Sequence, residues 1–186
     1  MRSNLRQKLL DIMLRKKTHC LFISLCGVKN QTELLDIVAD CLNKGVDIIE
    51  LSGHSVSDNL FFDTAKKAKE LCEIYNATFI IRGRADIAYL TSADCVNLEQ
   101  DSIDIHSVRK IIGEKVLIGI YMNDAELSDK YSVKDGADYV FNIDTKSTPN
   151  ASVKITDLEY AKWVSENTHI PVLKFVTKDQ TVPQIQ

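Results

Sequence analysis

One segment recurs three times along this chain, and this recurrence restricts the possible folds more than any other feature. The three copies are Lys44–Leu51, Thr91–Leu98 and Asp135–Asn142, and each has an aspartate in fourth position before a mostly apolar run. The aspartates follow one another at intervals of 47 and 44 residues. Such a run is typical of a strand buried on both faces of a parallel sheet. Each interval holds two strand–helix units, so we expect the second, fourth and sixth strands to be equivalent.

Apolar runs alternate with helical patterns along the rest of the chain, as parallel strands joined by crossover helices require. This order predicts an α/β protein with a (β/α) TIM-type barrel, here incomplete because a closed barrel of this kind has eight strands. An open doubly wound sheet is the alternative, but no glycine-rich phosphate turn follows the first strand. The predicted strands are Leu21–Leu25, Val46–Leu51, Phe79–Ile81, Asp94–Leu98, Val116–Tyr121, Asp138–Asn142 and Pro171–Val176.

Residues 1–17 predict an extra amphipathic helix, because Leu5, Leu9 and Met13 recur at helical spacing among basic side chains. We expect this helix to cover one end of a single domain of residues 1–186. A transit peptide or a membrane-surface helix is the alternative. Only the short tail 177–186 follows the seventh strand, which predicts an open seam. The helix, the tail or a second copy of the chain can close this seam, and we favour the helix together with a homodimer.

The composition excludes two classes of partner. A net charge of −3 gives no general attraction to nucleic acid, and no apolar run approaches the roughly 20 residues of a membrane span. The five cysteines show no Cys-x-x-Cys spacing. We interpret them as small buried hydrophobic residues in a reducing environment, and we expect a cytoplasmic protein.

The recurring aspartates Asp47, Asp94 and Asp138 lie at the amino-terminal ends of their predicted strands. They therefore fall at the end of a barrel that carries stability rather than chemistry, and we interpret them as structural residues. Chemistry is expected instead on the loops that follow the strands, among them 82–84 and 97–101.

The recurring segments, together with Ile80–Ala88, Ile118–Ile120 and Ile170–Val172, resemble thiamine phosphate synthase and its relative, the thiazole tautomerase. The resemblance covers Leu21 to about Val176. It implies a barrel enzyme that joins a pyrimidine diphosphate to a thiazole phosphate and releases pyrophosphate with magnesium. This chemistry needs an anion clamp and metal-binding carboxylates, because the leaving diphosphate carries the developing charge.

The binding motifs of that family are only partly retained in this sequence. After the second strand, Glu50–His54 replaces the family's Gln-x-Arg-x-Lys, and after the third strand Arg82–Arg84 replaces Asn-Asp-Arg. After the fourth strand Gln100 is retained, whereas Ser102 takes the position of the second metal-binding aspartate. Thr148 remains from the stretch after the sixth strand, which has lost its lysine.

These departures leave three hypotheses open: a diverged transferase, a non-catalytic relative that binds a phosphorylated small molecule or a partner protein, and a small-molecule isomerase. Magnesium is expected only if the transferase activity is retained, whereas the isomerase would show a carboxyl group with a shifted pKa. The candidate catalytic residues are His54, Glu50 and Glu99; the candidate substrate- or phosphate-binding residues are Arg82, Arg84, Gln100, Asn97 and Thr148; the candidate metal ligands are Asp101 and Glu99. The two arginines can instead pair with Glu50 and Glu99 and fill the space of a substrate.

Overall fold

The computed structural model describes residues 2–13, 20–26, 28, 30–54, 56–99, 102–122, 136–142 and 172–173. Its strands are β1 (Cys20–Ser24), β2 (Ile48–Ser52), β3 (Thr78–Arg82), β4 (Cys95–Leu98), β5 (Leu117–Met122), β6 (Tyr139–Asn142) and β7 (Val172–Leu173). Its helices are α1 (Arg2–Met13), α2 (Gln31–Asn43), α3 (Asp58–Ile74), α4 (Ala85–Leu90) and α5 (Ile105–Ile112). None of these helices is both long and apolar enough to cross a membrane.

The described strands form one sheet in the order of the sequence, and each neighbouring pair is parallel. The predicted α/β class and the parallel sheet are therefore confirmed. Strand β7 is described for two residues only. No pairing among the described residues joins β7 to β1, so closure of the sheet into a barrel, whether complete or incomplete, stays a prediction.

Local capping signals set the ends of the helices. The Asn30 side chain accepts hydrogen bonds from the main-chain N–H groups of Thr32 at 3.0 Å and Glu33 at 3.3 Å, and so caps α2. Gly113 follows α5 with a φ of 61°, a conformation that most side chains disfavour. Helix α5 therefore ends at a residue that can adopt this conformation without strain.

Asp94 and Asp138 connect neighbouring strands at the amino-terminal end of the sheet. The main-chain N–H of Phe79 donates to the Asp94 carboxylate at 2.8 Å, while the Asp94 N–H donates to the Phe79 carbonyl oxygen at 3.0 Å. Ile118 and Asp138 make the same exchange at 2.9 and 2.7 Å. Each carboxylate thus satisfies a buried main-chain donor, which would be costly to leave unpaired. The predicted structural role of these two aspartates is confirmed.

Both carboxylates also pair with cations on the surrounding helices. Lys69 of α3 lies 3.0 Å from Asp94, and Arg109 of α5 lies 2.7 Å from Asp138. Arg6 of α1 adds a second cation at 2.7 Å from Asp138, whose side chain is fully buried. A buried carboxylate needs such partners because removing its charge from water costs several kcal/mol. The two aspartates consequently attach three helices to the sheet.

Helix α1 packs across this same end of the sheet. Its Leu9 and Ile12 are buried in the common core, and Lys8 Nζ donates to the carbonyl oxygen of Ala77, just before β3, at 3.1 Å. This position agrees with the expected cover of one end of the domain. The described polar contacts of α1 with other elements lie at that end, and cover of the seam beside β7 stays a prediction.

Candidate functional site

Polar side chains from five neighbouring strands, β2 to β6, meet on one face of the sheet. Side chains alternate between the two faces of a strand, so residues in register across parallel strands share a face. Arg82 of β3 pairs in register with Asn97 of β4, Asn97 with Gly119 of β5, and Gly119 with Tyr139 of β6. This row of four residues crosses the sheet from the carboxyl end of β3 to the amino end of β6.

Glu50 of β2 is the charged residue of this interior, and it is hydrogen-bonded through both carboxylate oxygens. The Tyr121 hydroxyl donates to Oε1, and Asn97 Nδ2 donates to Oε2 at 2.6 Å. Asn97 Oδ1 in turn accepts from the Tyr139 hydroxyl at 2.5 Å. All four side chains are buried, Glu50 with only 2% of its surface exposed. We call Glu50, Asn97, Tyr121 and Tyr139 the interior network; each of its donors and acceptors named here is satisfied, as burial requires.

The surroundings of Glu50 change the pKa of its carboxyl group. Burial raises the pKa of the Glu50 carboxyl to about 7, because removal from water disfavours the charged form. Hydrogen bonds from Tyr121 and Asn97, and the positive charge of Arg82, oppose this increase. A carboxyl group with a pKa near neutrality can hold or release a proton under physiological conditions, as general acids and bases do.

Gly119 makes the packing of the interior network possible. A Cβ atom at this position would lie 2.3 Å from Asn97 Oδ1 and 2.4 Å from the ring of Tyr139, far inside van der Waals contact. The absence of a side chain in the middle of β5 therefore leaves room for the Asn97–Tyr139 hydrogen bond. Glycine inside a predicted strand is a sequence signal of such close approach, but the sequence did not indicate which side chains approach it.

Arg82, Glu99 and His54 form a polar rim above the interior network. Arg82 Nε donates to Glu99 Oε1 at 2.8 Å, and His54 Nε2 lies 3.5 Å from the same oxygen. The guanidinium carbon of Arg82 lies 4.5 Å from the centroid of the Tyr121 ring, a cation–π contact. One of the two open interpretations of Arg82, an ion pair with Glu99, is thus present in the structure. His54 lies beside Glu99 and is largely exposed.

Arg84 has separate surroundings from Arg82. Its Nε and NH2 atoms donate to the Asp86 carboxylate at 2.8 and 2.6 Å, and its NH1 donates to Asp58 Oδ1 at 2.7 Å. All three nitrogens of this guanidinium group therefore have carboxylate partners. Arg84 connects the start of α3 to the start of α4, and the structure does not pair it with Arg82 around a common space.

The remaining candidates, Gln100, Asp101 and Thr148, lie outside the described residues. Among the described residues, no group of three or more histidine, cysteine or carboxylate side chains is close enough to hold a metal ion. Because Asp101 is not among the described residues, a magnesium site built on Glu99 and Asp101 stays a prediction.

Residues 20–175 match the protein family described as thiamine monophosphate synthase. The chain belongs to this family. It is 35% identical over 134 residues to a thiamine-phosphate synthase of Alkaliphilus oremlandii, which covers 69% of this chain and 62% of the relative. It is 32% identical over 139 residues to a thiamine-phosphate synthase of Nostoc punctiforme, which covers 74% of this chain but 39% of the relative.

This chain spans less than half the length of several relatives that it matches. The matches span 39%, 30% and 23% of three relatives, two thiamine-phosphate synthases and a probable thiamine biosynthetic bifunctional enzyme.

Thiamine phosphate pyrophosphorylase from Pyrococcus furiosus superimposes with a TM-score of 0.65 at 24% identity, covering 91% of this chain and 75% of that one. At this level of identity the superposition shows a shared fold.

The two positions where the resemblance implies metal-binding carboxylates are occupied by other residues in this family member. Gly83 follows β3 with a φ of 75°. Its main-chain N–H donates to the Asn97 carbonyl oxygen at 2.8 Å. The Ser102 hydroxyl accepts from the Glu99 N–H at 3.0 Å and so stabilises the loop after β4. Both residues have local structural roles, and neither can supply a carboxylate.

Proposed function

We propose that this protein acts in thiamine biosynthesis by binding a phosphorylated precursor at the carboxyl ends of β2 to β5, without catalysing the transfer reaction of its family. The observation that carries the proposal is the arrangement of Arg82 at the rim. Its guanidinium group is half-buried over the Tyr121 ring, and among the described residues its one hydrogen-bond acceptor is Glu99, through Nε.

Within the described part of the chain, nothing accepts a hydrogen bond from Nη1 or Nη2 of Arg82, and we infer that these atoms bind a ligand. Guanidinium nitrogens match the spacing of phosphate oxygens and form short, charge-assisted hydrogen bonds with them. The Nε contact to Glu99 and the ring of Tyr121 fix the plane of the group, so less side-chain freedom is lost on binding. Arg84 is a weaker candidate, because its three nitrogens already donate to Asp58 and Asp86.

The absence of transfer activity follows from the chemistry of the leaving group. Departure of a diphosphate develops charge that metal ions and fixed cations must stabilise. Gly83 and Ser102 replace the carboxylates that the family resemblance implies, and Glu99 is already engaged by Arg82 and His54. Both features support a binding role rather than the transfer reaction.

We expect the purified protein to form no thiamine phosphate from the pyrimidine diphosphate and the thiazole phosphate, with or without magnesium. The assay follows thiamine phosphate by fluorescence after oxidation, and an active synthase of the family serves as the positive control. Clear magnesium-dependent turnover would contradict this part of the proposal.

We expect at least one of the same two precursors to raise the melting temperature of the protein without magnesium, because a ligand that binds the folded state stabilises it. Arg82→Gln should weaken this binding by about tenfold or more, since a hydrogen-bonded charge pair contributes about 1.5–3 kcal/mol. Arg84→Gln is the matched control and should leave affinity within about twofold, because its nitrogens face other carboxylates. Equal loss in the two variants, or no loss in either, would exclude Arg82 as the phosphate-binding residue.

A second candidate function is an isomerase on the same scaffold, and the pKa of Glu50 favours it. Burial raises this pKa to about 7, the shifted carboxyl that the sequence analysis expected of an isomerase. An isomerase would convert a phosphorylated substrate without magnesium, and Glu50→Gln would abolish the conversion while precursor binding remained. Binding without conversion supports the first function.

A further inference from the structure

Glu50 and Arg82 are joined through a single aromatic side chain. The Tyr121 hydroxyl donates to Glu50, while the ring of Tyr121 lies 4.5 Å from the guanidinium carbon of Arg82. The buried carboxylate therefore lies on the inner side of Tyr121, and the cation lies over its face. The two charges act on each other: Arg82 lowers the pKa of Glu50, and Glu50 helps to raise the pKa of Arg82.

The charges around this arrangement do not balance when Glu50 is ionised. Arg82 then serves two carboxylates, Glu50 inside and Glu99 at the rim. Protonation of Glu50 leaves one cation and one carboxylate, and it removes the negative charge behind the guanidinium group. The titratable or charged groups that act on Glu50 from the other strands and their loops are Cys20 of β1, Arg82 of β3, Glu99 after β4, Tyr121 of β5 and Tyr139 of β6.

The interior network offers an acceptor for a proton on Glu50. A protonated carboxyl group needs one acceptor in place of one donor. The Tyr121 hydroxyl oxygen can accept from Glu50 Oε1 once its own hydrogen turns away from the carboxyl group, because a hydroxyl oxygen serves as donor or acceptor. Asn97 Nδ2 continues to donate to Oε2, and the Tyr139 hydroxyl continues to donate to Asn97 Oδ1.

We propose that this site binds an anion and a proton together: the anion on the outer nitrogens of Arg82, and the proton on the buried carboxyl group of Glu50. The inference rests on the proposed anion binding by Arg82 and assigns to Glu50 the control of that binding. Glu50 is a positioning residue here, because it acts through Tyr121 and the shared electrostatic field and does not touch the anion.

The sign of the pH dependence follows from linkage. Burial already raises the pKa of Glu50 to about 7 in the free protein. A bound anion adds negative charge nearby, which disfavours the carboxylate and raises this pKa further. The complex therefore holds a proton over a pH range in which the free protein has lost it. Affinity for the anion must then increase as the pH falls through that range.

Sulfate is a suitable probe because it remains a dianion throughout the relevant pH range, whereas phosphate titrates within it. Calorimetric titration of the wild-type protein is carried out at about pH 7.5 in two buffers of different ionisation enthalpy. We expect the observed heats to differ by an amount that corresponds to uptake of a fraction of a proton. We also expect sulfate to bind about fivefold to sevenfold more tightly at about pH 6 than at about pH 8.5, the result of a shift of close to one pKa unit.

Two variants assign the proton. Glu50→Gln should bind sulfate with little proton uptake and with an affinity that changes less than about twofold over the same range. His54→Gln removes the titratable imidazole beside Glu99, and proton uptake should persist in it. The wild-type and His54→Gln measurements decide the question even where Glu50→Gln does not fold.

The outcomes separate the inference from the function on which it rests. Sulfate binding without proton uptake and without pH dependence leaves the anion site intact and overturns the role of Glu50. Uptake that disappears in His54→Gln but persists in Glu50→Gln also overturns it, because the imidazole then carries the proton. Absence of sulfate binding at every pH overturns both the anion site and the inference.

Discussion

Replacing Asp138 by asparagine is expected to lower the free energy of unfolding by about 3–5 kcal/mol, the usual cost of breaking a buried ion pair by removing one partner. The Asp138 carboxylate is fully buried and lies 2.7 Å from both Arg6 and Arg109. Asparagine has nearly the same shape and can still accept from the Ile118 N–H, so the substitution removes the charge with little change in packing. Arg109, itself largely buried, then loses its ion pair with Asp138.

Urea unfolding followed by far-ultraviolet circular dichroism measures this change. Asp40→Asn is the matched control, because Asp40 of α2 forms an exposed ion pair with Lys44, the residue that directly follows this helix. We expect a change of less than about 0.5 kcal/mol for the control, as for other surface pairs within a helix. A loss for Asp138→Asn as small as that of the control would show that the pairs to α1 and α5 contribute little.

Replacing Glu50 by glutamine is expected to remove a pH-dependent loss of stability of about 3 kcal/mol, since each unit of pKa shift corresponds to about 1.4 kcal/mol. The folded protein keeps the Glu50 proton up to a pKa of about 7, whereas the ordinary value is 4.5. Between these values the unfolded chain binds fewer protons than the folded chain. Stability from this group is therefore complete below the ordinary pKa and decreases as the pH rises toward 7.

Unfolding free energies of the wild type and of Glu50→Gln are compared from about pH 4 to about pH 8. As the pH rises from the ordinary pKa of a glutamate toward 7, the unfolding free energy of Glu50→Gln should increase relative to that of the wild type. Above that range the difference should stay constant. Tyr121→Phe provides a second check: it removes a hydrogen bond that lowers the pKa of Glu50, so the transition should move to higher pH. A constant difference between wild type and Glu50→Gln at every pH would contradict the raised pKa.

The regular elements could be predicted because their signals are local. The period of the apolar runs predicted strands and helices, and Asn30 and Gly113 carry local signals for the cap of α2 and the end of α5. The recurring aspartates predicted a structural role because they lie at the amino-terminal ends of their strands. Each of these inferences needs only residues a few positions apart, whose geometry follows from the backbone itself.

The candidate site was predicted in part. Glu50, Arg82 and Asn97 could be predicted, because polar residues within or after buried strands meet at the carboxyl ends of a parallel sheet. A pairing of Arg82 with Glu99 was one of two open interpretations, and the structure contains it. Arg82 and Arg84 could not be told apart, since both are cations two positions apart in one loop.

Local sequence patterns were enough to predict the α/β class, the order of the described strands and helices, and the end of the sheet at which polar chemistry can lie. Only the tertiary structure decided the state of each polar group. The contact of Asp58 with Arg84, the Tyr121 hydroxyl that donates to Glu50 and the space left by Gly119 each join separate strands and helices. The physical reason is that burial and hydrogen-bond partners set the charge and pKa of a side chain, and both depend on residues far away in sequence.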